Sequence, residues 1–290
     1  MRFTTLDGRA TLVRQDRAHD LEEASAGEFG HEPLQAYERW DELRRWADRA
    51  LLDPAAGLAV GHGGPPSPTA RQVVGIGLNY HAHAVELGLD DPDEPVMFVK
   101  LSSCLAGPVG EVRLVNDTVD WEAELVVVIG RRCTEVPVAA AWDHVAGLTV
   151  GQDLSDRTRQ AAGPVDQLSI AKSAPTFGPT GPWLVSVDEL GPLGGLGMSC
   201  SINGEVVQRT DLNDMVFGVD ELVSRVSAAV ELLPGDLVFT GTPAGCGVTS
   251  DPQRYLREGD VVTTRIDRIG EMRHVCVAPR ERGGAPCTSN

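Results

Sequence analysis

From residue 71 onward the chain alternates short apolar, β-branched runs with turns. The runs are VVGIGL (73–78), VMFVKL (96–101), ELVVVIG (124–130), LTVGQDL (148–154), PWLVSV (182–187), DLVFTG (236–241), VVTTRI (261–266) and HVCV (274–277). Runs of this length bounded by Gly, Pro, Asn or Asp read as strands. MSCSI (198–202) and EVVQ (205–208) flank Asn203-Gly204, a dipeptide whose tolerance of positive φ suits a two-residue hairpin. Helical spacing is confined to 138–145 and 219–233, where Leu222, Val223, Val226 and Val230 recur on one face before Pro234-Gly235-Asp236 stops the pattern. Many strands with few helices predict an α+β, β-rich domain rather than a doubly wound sheet.

The first 65 residues read differently. A strand-turn-strand over 3–13 turns at Asp7-Gly8, and an Arg/Glu-rich helical stretch covers 34–52. GHGGPPSPTA (61–70) is a Gly/Pro-rich linker. The expected organisation is therefore a small N-terminal domain over 1–65, a catalytic domain over 66–277 and a disordered tail over 278–290.

Composition narrows the function. A net charge of -17 argues against nucleic acid and against anionic membrane surfaces as partners. No run approaches the ~18 apolar residues of a membrane span, and the start MRFTTLDGRA lacks the apolar stretch of a secretion signal. A cytoplasmic protein is the expectation. The six cysteines (Cys104, Cys133, Cys200, Cys246, Cys276, Cys287) show no CxxC pair and read as buried thiols rather than zinc ligands. Lys100 and Lys172 are the only lysines among 25 basic residues. In so arginine-rich a chain, a retained lysine points to a need for a compact ammonium.

DWEAEL (120–125) places Glu122 and Glu124 two apart at the head of an apolar strand, so both side chains emerge on one face about 7 Å apart along the backbone. Two carboxylates so close need a compensating cation in a dry site. Hard oxygen donors without Cys or His suit Mg²⁺, Mn²⁺ or Ca²⁺. Asp153, in the apolar segment LTVGQDLS, is the candidate third ligand. A solvated acidic strand edge is the competing account.

Polar groups that could work with a metal lie elsewhere in the chain. His83 and Glu86 in NYHAHAVELG (79–88) are three apart, where a carboxylate can orient an imidazole as a base. Arg157 and Gln160 follow Asp153, and an arginine there could capture a substrate carboxylate. Lys172 heads an irregular loop and Lys100 closes the MFVK strand; an ammonium beside a metal can stabilise an enolate. Thr242 lies in a Gly-Thr-Pro turn of a kind that can bind anions.

Together these segments resemble the fumarylacetoacetate hydrolase family, which carries an NYxxHAxE segment, an ExE strand, an Asp-x-Ser-x-Arg-x-x-Gln segment, a Lys-Ser loop ending in Gly-Pro, and a Pro-Gly-Asp…Gly-Thr-Pro-x-Gly ending. The matching stretches here are 79–86, 122–124, 153–160, 172–182 and 234–245. The resemblance implies a mixed β-sandwich or β-roll catalytic domain, usually a homodimer, with Mg²⁺ or a similar ion on Glu122, Glu124 and Asp153. It also implies that His83 activates water, Glu86 orients it and Lys172 steadies the departing carbanion. Arg157, Gln160 and Thr242 would contact substrate, with Lys100 as a further contact, and 79–86 would act as a lid. The implied reaction is hydrolytic C–C cleavage of a small acidic β-dicarbonyl or 2-oxo acid. A 2-oxo-acid decarboxylase, a 2-hydroxy-diene-dioate isomerase and a non-catalytic binding protein are the alternatives. Two positions depart from the family pattern: Pro175 where an aspartate is common, and Leu101 where a proline often follows the lysine. Both bear on substrate shape.

Overall fold

The computed structural model describes residues 1–53, 55, 57–59 and 63–278. Its strands are β1 (Arg2–Leu6), β2 (Arg9–Arg14), β3 (Arg17–Asp20), β4 (Leu58–Ala59), β5 (Val73–Gly77), β6 (Val96–Lys100), β7 (Leu105–Ala106), β8 (Val109–Arg113), β9 (Val119–Asp120), β10 (Ala123–Ile129), β11 (Val145–Gln152), β12 (Ser155–Asp156), β13 (Gly178–Ser186), β14 (Gly197–Ile202), β15 (Glu205–Asp211), β16 (Leu237–Phe239), β17 (Val261–Ile266) and β18 (Gly270–Val277). They form a large sheet in the order β4-β3-β2-β1-β13-β11-β10-β16-β5-β6, with β7 pairing β13, and a five-stranded sheet in the order β15-β14-β17-β18-β8. A short ribbon joins β9 to β12. Antiparallel pairs predominate; β16–β5, β18–β8 and β13–β7 are parallel. The architecture is the β-rich α+β fold expected from the alternation of short runs.

The main core lies between the two sheets, where Leu125, Val127, Leu148 and Val150 meet Met198, Cys200, Val262 and Met272. A second core covers the opposite face of the large sheet: Val126, Val128 and Phe239 pack with Phe3, Leu12, Tyr37, Trp40 and Leu43. Strand β10 is therefore buried on both faces, every residue of it. That is why its sequence reads as an unbroken apolar run rather than an alternation.

The leading segment adds its strands to the same large sheet through the β1–β13 pairing, Arg2 opposite Val185. Its hairpin turns at Asp7 and Gly8, both at positive φ, with Leu6 opposite Arg9. Three expected elements differ in detail. The stretch 34–52 forms two helices, Pro33–Glu38 and Trp40–Ala47, parted at Arg39. The stretch 138–145 is a tighter 3₁₀ helix, Val138–His144, because Val145 already belongs to β11. The helix Val219–Ala229 ends early: Val230 turns extended, and Leu232 bridges Cys133. Residues 60–62 of the linker region and 279–290 of the tail, with Cys287, lie outside the described residues. Among the described residues no helix is long and apolar enough to cross a membrane.

Candidate metal and catalytic site

The head of β10, the end of β11 and the loop after β16 converge. Glu124 pairs with Gly151 in the β10–β11 ladder, and Asp153 follows directly, its amide donating to the Glu122 carbonyl at 2.9 Å. Ligand atoms of Glu122, Glu124 and Asp153 all lie within 4.8 Å of one another, and all three residues are buried. Gly241 seals the top of this cluster by donating its amide to Glu124 Oε2 at 2.8 Å. Its φ is +97°, and a Cβ there would stand 2.8 Å from Asn79 Cβ, so only glycine brings that amide so close.

Cations brace the carboxylates. Lys172 Nζ donates to Glu122 Oε2 at 2.6 Å and Ser155 Oγ at 2.8 Å, and lies 2.8 Å from Asp153 Oδ2. Arg157 donates from Nε and Nη2 to Asp120 Oδ2, from Nη2 to Glu122 Oε1, and from Nη1 to Gln160 Oε1. Asp120 is itself held by the amides of Trp121, Gly247 and Val248. Burial works upward on both glutamates. At Glu122, Lys172 and Arg157 outweigh it and hold the carboxyl below its ordinary value, whereas at Glu124 the charges of Asp153 and Glu122 add to burial and push it well above.

These contacts bear on three expectations. The Lys100 ammonium is fully buried and donates to Asp153 Oδ1 and to the carbonyls of Lys172 and Phe177, so its three N–H groups are used within the protein. The Thr242 hydroxyl is not a free anion donor, since it donates to the Ala123 carbonyl at 3.0 Å and accepts from Gln208 Nε2 at 2.9 Å. Arg157 does not present a fork to substrate. Four of its five N–H groups are engaged within the protein, leaving one on Nη1.

The expected His–Glu pair is present. His83 Nδ1 lies 2.9 Å from Glu86 Oε2, and Glu86 Oε1 accepts the Gly245 amide at 2.9 Å. A carboxylate oxygen only accepts, so Nδ1 carries a proton and, in the neutral form of the ring, Nε2 is the nitrogen left to accept one. His83, Glu122, Arg157, Gln160, Lys172 and Thr242 line one cavity of about 270 Å³. Asp120, Ser155 and Gln208 were missed as site-building residues. Asp120 carried a signal, because D-x-E-x-E continues the same alternation by one step.

The chemistry of this donor set fits a divalent cation. Four carboxyl groups (Asp120, Glu122, Glu124, Asp153) face three cations (Lys100, Lys172, Arg157), so with every carboxyl ionised the buried cluster would be one positive charge short, which together with burial is what raises Glu124. Asp153 Oδ2, despite the nearby ammonium, makes no well-formed hydrogen bond. A buried polar atom left so is a place for an ion.

Fold and site together define a β-rich enzyme built around a buried carboxylate triad. The chain belongs to the fumarylacetoacetate hydrolase family: the family model described as fumarylacetoacetate (FAA) hydrolase C-terminal matches residues 72–277. It is 43% identical over 213 residues to a 2,4-didehydro-3-deoxy-L-rhamnonate hydrolase of Sphingomonas sp. (strain SKA58), covering 72% of this chain and 74% of that protein. It is 39% identical over 207 residues to a mitochondrial oxaloacetate tautomerase of Xenopus laevis, covering 71% of this chain and 65% of the tautomerase. The chain thus matches just under two thirds of that tautomerase's length. The solved maleylpyruvate hydrolase of Sphingobium sp. SYK-6, in complex with manganese(II) and pyruvate, superposes with a TM-score of 0.78 at 26% identity, covering 97% of this chain and 100% of that one.

Proposed function

We propose that this protein is a divalent-metal-dependent hydrolase that cleaves a carbon–carbon bond in a small β-diketo acid of the acylpyruvate type. Mg²⁺ is the proposed native ion, held by Glu122, Glu124 and Asp153. The observation that carries the reading is the joint presence, around one cavity, of a buried carboxylate triad and a His83–Glu86 pair. A triad alone would serve any enolate chemistry. A base set to accept a proton is what hydrolysis adds.

A divalent ion bound there would supply Lewis-acid polarisation of a 2-oxo carboxylate. The protein's own groups supply the rest. His83 Nε2 takes a proton from water while Glu86, held by the Gly245 amide, keeps the ring oriented. Lys172, with its pKa raised because Asp153 and Glu122 outweigh burial, stays charged and stabilises negative charge as the carbanion departs. The free Nη1–H of Arg157 and the side chain of Gln160 position the acid. Lys100 acts indirectly, by fixing Asp153.

The second reading, enol–keto tautomerisation of a 2-oxo acid, is favoured by the similarity to the oxaloacetate tautomerase. Incubation with an acylpyruvate, oxaloacetate and a 2-hydroxy-diene-dioate, followed by NMR, separates the two by product. Cleavage of the acylpyruvate that is lost in His83→Ala supports hydrolysis. Hydrolysis that survives this substitution sinks the mechanism. Exchange of enol and keto forms without cleavage selects the second reading.

A further inference from the structure

The cavity has two chemically different ends. Its floor is ionic and buried, with Glu122 and Lys172 side by side. Its walls and mouth are apolar: Phe98 is buried, Leu168 is half-buried, and Leu87 and Val96 at the rim are 43% and 37% exposed. The lining cations do not reach the mouth. Lys172 donates to Glu122 and Ser155 and is ion-paired with Asp153, and Arg157 donates to Asp120 and Glu122. The charged group among the exposed lining residues is Asp166, fixed by a 2.9 Å bond from Gln160 Nε2 to its Oδ2.

We infer that this mouth selects 2-oxo acids whose far end is uncharged, a short alkyl or hydroxyalkyl group, and rejects dioates, with Asp166 as the specificity-determining residue. The inference rests on the reading above that the 2-oxo carboxylate end binds at the floor. A second carboxylate at the far end would lose water against Leu87, Val96, Phe98 and Leu168 with no cation to compensate. It would also meet the like charge of Asp166. The volume of about 270 Å³ lies just below the ~300–1,000 Å³ usual for ligand pockets, which favours a short tail. Gln160 has a place in this arrangement, because its amide ties the substrate-side Nη1 of Arg157 to the selecting carboxylate.

The test uses binding of probes that cannot be hydrolysed at a second carbonyl: 2-oxohexanoate and 2-oxohexanedioate, of equal chain length, titrated calorimetrically into the Mn²⁺-loaded protein. The monoacid is expected to bind at least about tenfold more tightly, and Asp166→Asn, which keeps an acceptor oxygen for Gln160, is expected to narrow the ratio by about tenfold. Raising NaCl from about 0.05 M to about 1 M should narrow the ratio in the wild type and leave it nearly constant in Asp166→Asn, because screening acts on a charge and not on shape. Equal or tighter binding of the dioate, or a ratio that Asp166→Asn does not move, overturns the inference and leaves the proposed hydrolysis standing. Binding of neither probe removes both, since a floor that takes no 2-oxo acid selects none.

Discussion

Lys100 and Asp153 form an ion pair that lies almost entirely out of solvent, with side chains 0% and 1% exposed. Removing one partner of such a pair leaves a buried charge uncompensated and costs about 3–5 kcal/mol. Lys100→Met is therefore expected to lower the unfolding free energy of the metal-free protein, read from urea titration, by about that much. Mn²⁺ should restore part of the loss, because a cation on the triad offsets the charge of Asp153. Parallel unfolding in EDTA and in Mn²⁺ measures both effects. A variant with unchanged midpoints and a raised KM alone would return Lys100 to the role of a substrate contact.

Glu124→Gln should act in the opposite sense on the metal-free fold. Burial, Asp153 and Glu122 all disfavour the Glu124 carboxylate, and an amide oxygen can still accept from Gly241. Thermal melts in EDTA are expected to show an unchanged or higher midpoint. Manganese affinity, read by electron paramagnetic resonance, should fall by more than the roughly 10–100-fold that loss of an outer partner costs. Undiminished Mn²⁺ binding would dismiss the triad as the metal site.

His83→Ala is expected to lower kcat for acylpyruvate cleavage by about 10²–10⁴-fold, the usual range for a general base, with Mn²⁺ affinity unaltered. Glu86→Gln should show a smaller loss, since the ring keeps a neutral hydrogen-bond partner while losing a charged one. Single-turnover kinetics with saturating metal separate this from binding. An unchanged kcat in Glu86→Gln, with His83→Ala inactive, would mean that the charge of Glu86 does not act through His83.

The parts of this site that can be read along the chain are those set by local spacing. Glu122 and Glu124 share a strand face because side chains alternate, and His83 meets Glu86 because residues three apart are neighbours on a helix. Lys100 could not be placed in this way. Its partners Asp153, Lys172 and Phe177 are 53, 72 and 77 residues away, and only the packed fold shows that its donors are used up. The same holds for Thr242, whose hydroxyl is taken by Ala123 and Gln208 from distant strands. Asp120 was legible by its place in D-x-E-x-E, yet its role as the anchor of Arg157 depends on the β9–β12 ribbon. The 3₁₀ form of Val138–His144 was hidden for another reason: a segment of only seven residues, VAAAWDH, fits a helix of either pitch.

His274 supplies a pH dependence independent of the site. It lies in β18, 2% exposed, with Nε2 2.9 Å from the Gly107 carbonyl. A carbonyl only accepts, so Nε2 carries a proton, and burial favours the neutral ring. Burial drives its pKa below the ordinary 6.5, with the Gly107 bond opposing. Below about 6.5 the unfolded chain takes up a proton that the folded protein refuses until its lower pKa is reached. Stability is therefore full above that pH and falls as the solution is acidified through the interval, with a slope of at most about 1.4 kcal/mol per pH unit. His19, also shifted downward by burial, adds a slope of the same sign. His274→Gln keeps a donor for Gly107 and does not titrate, so urea midpoints measured at pH 7.5, 6.5 and 5.5, ~one pH unit apart, should decline less steeply than those of the wild type. Parallel declines would show that His274 takes up its proton equally well in the folded and unfolded chain.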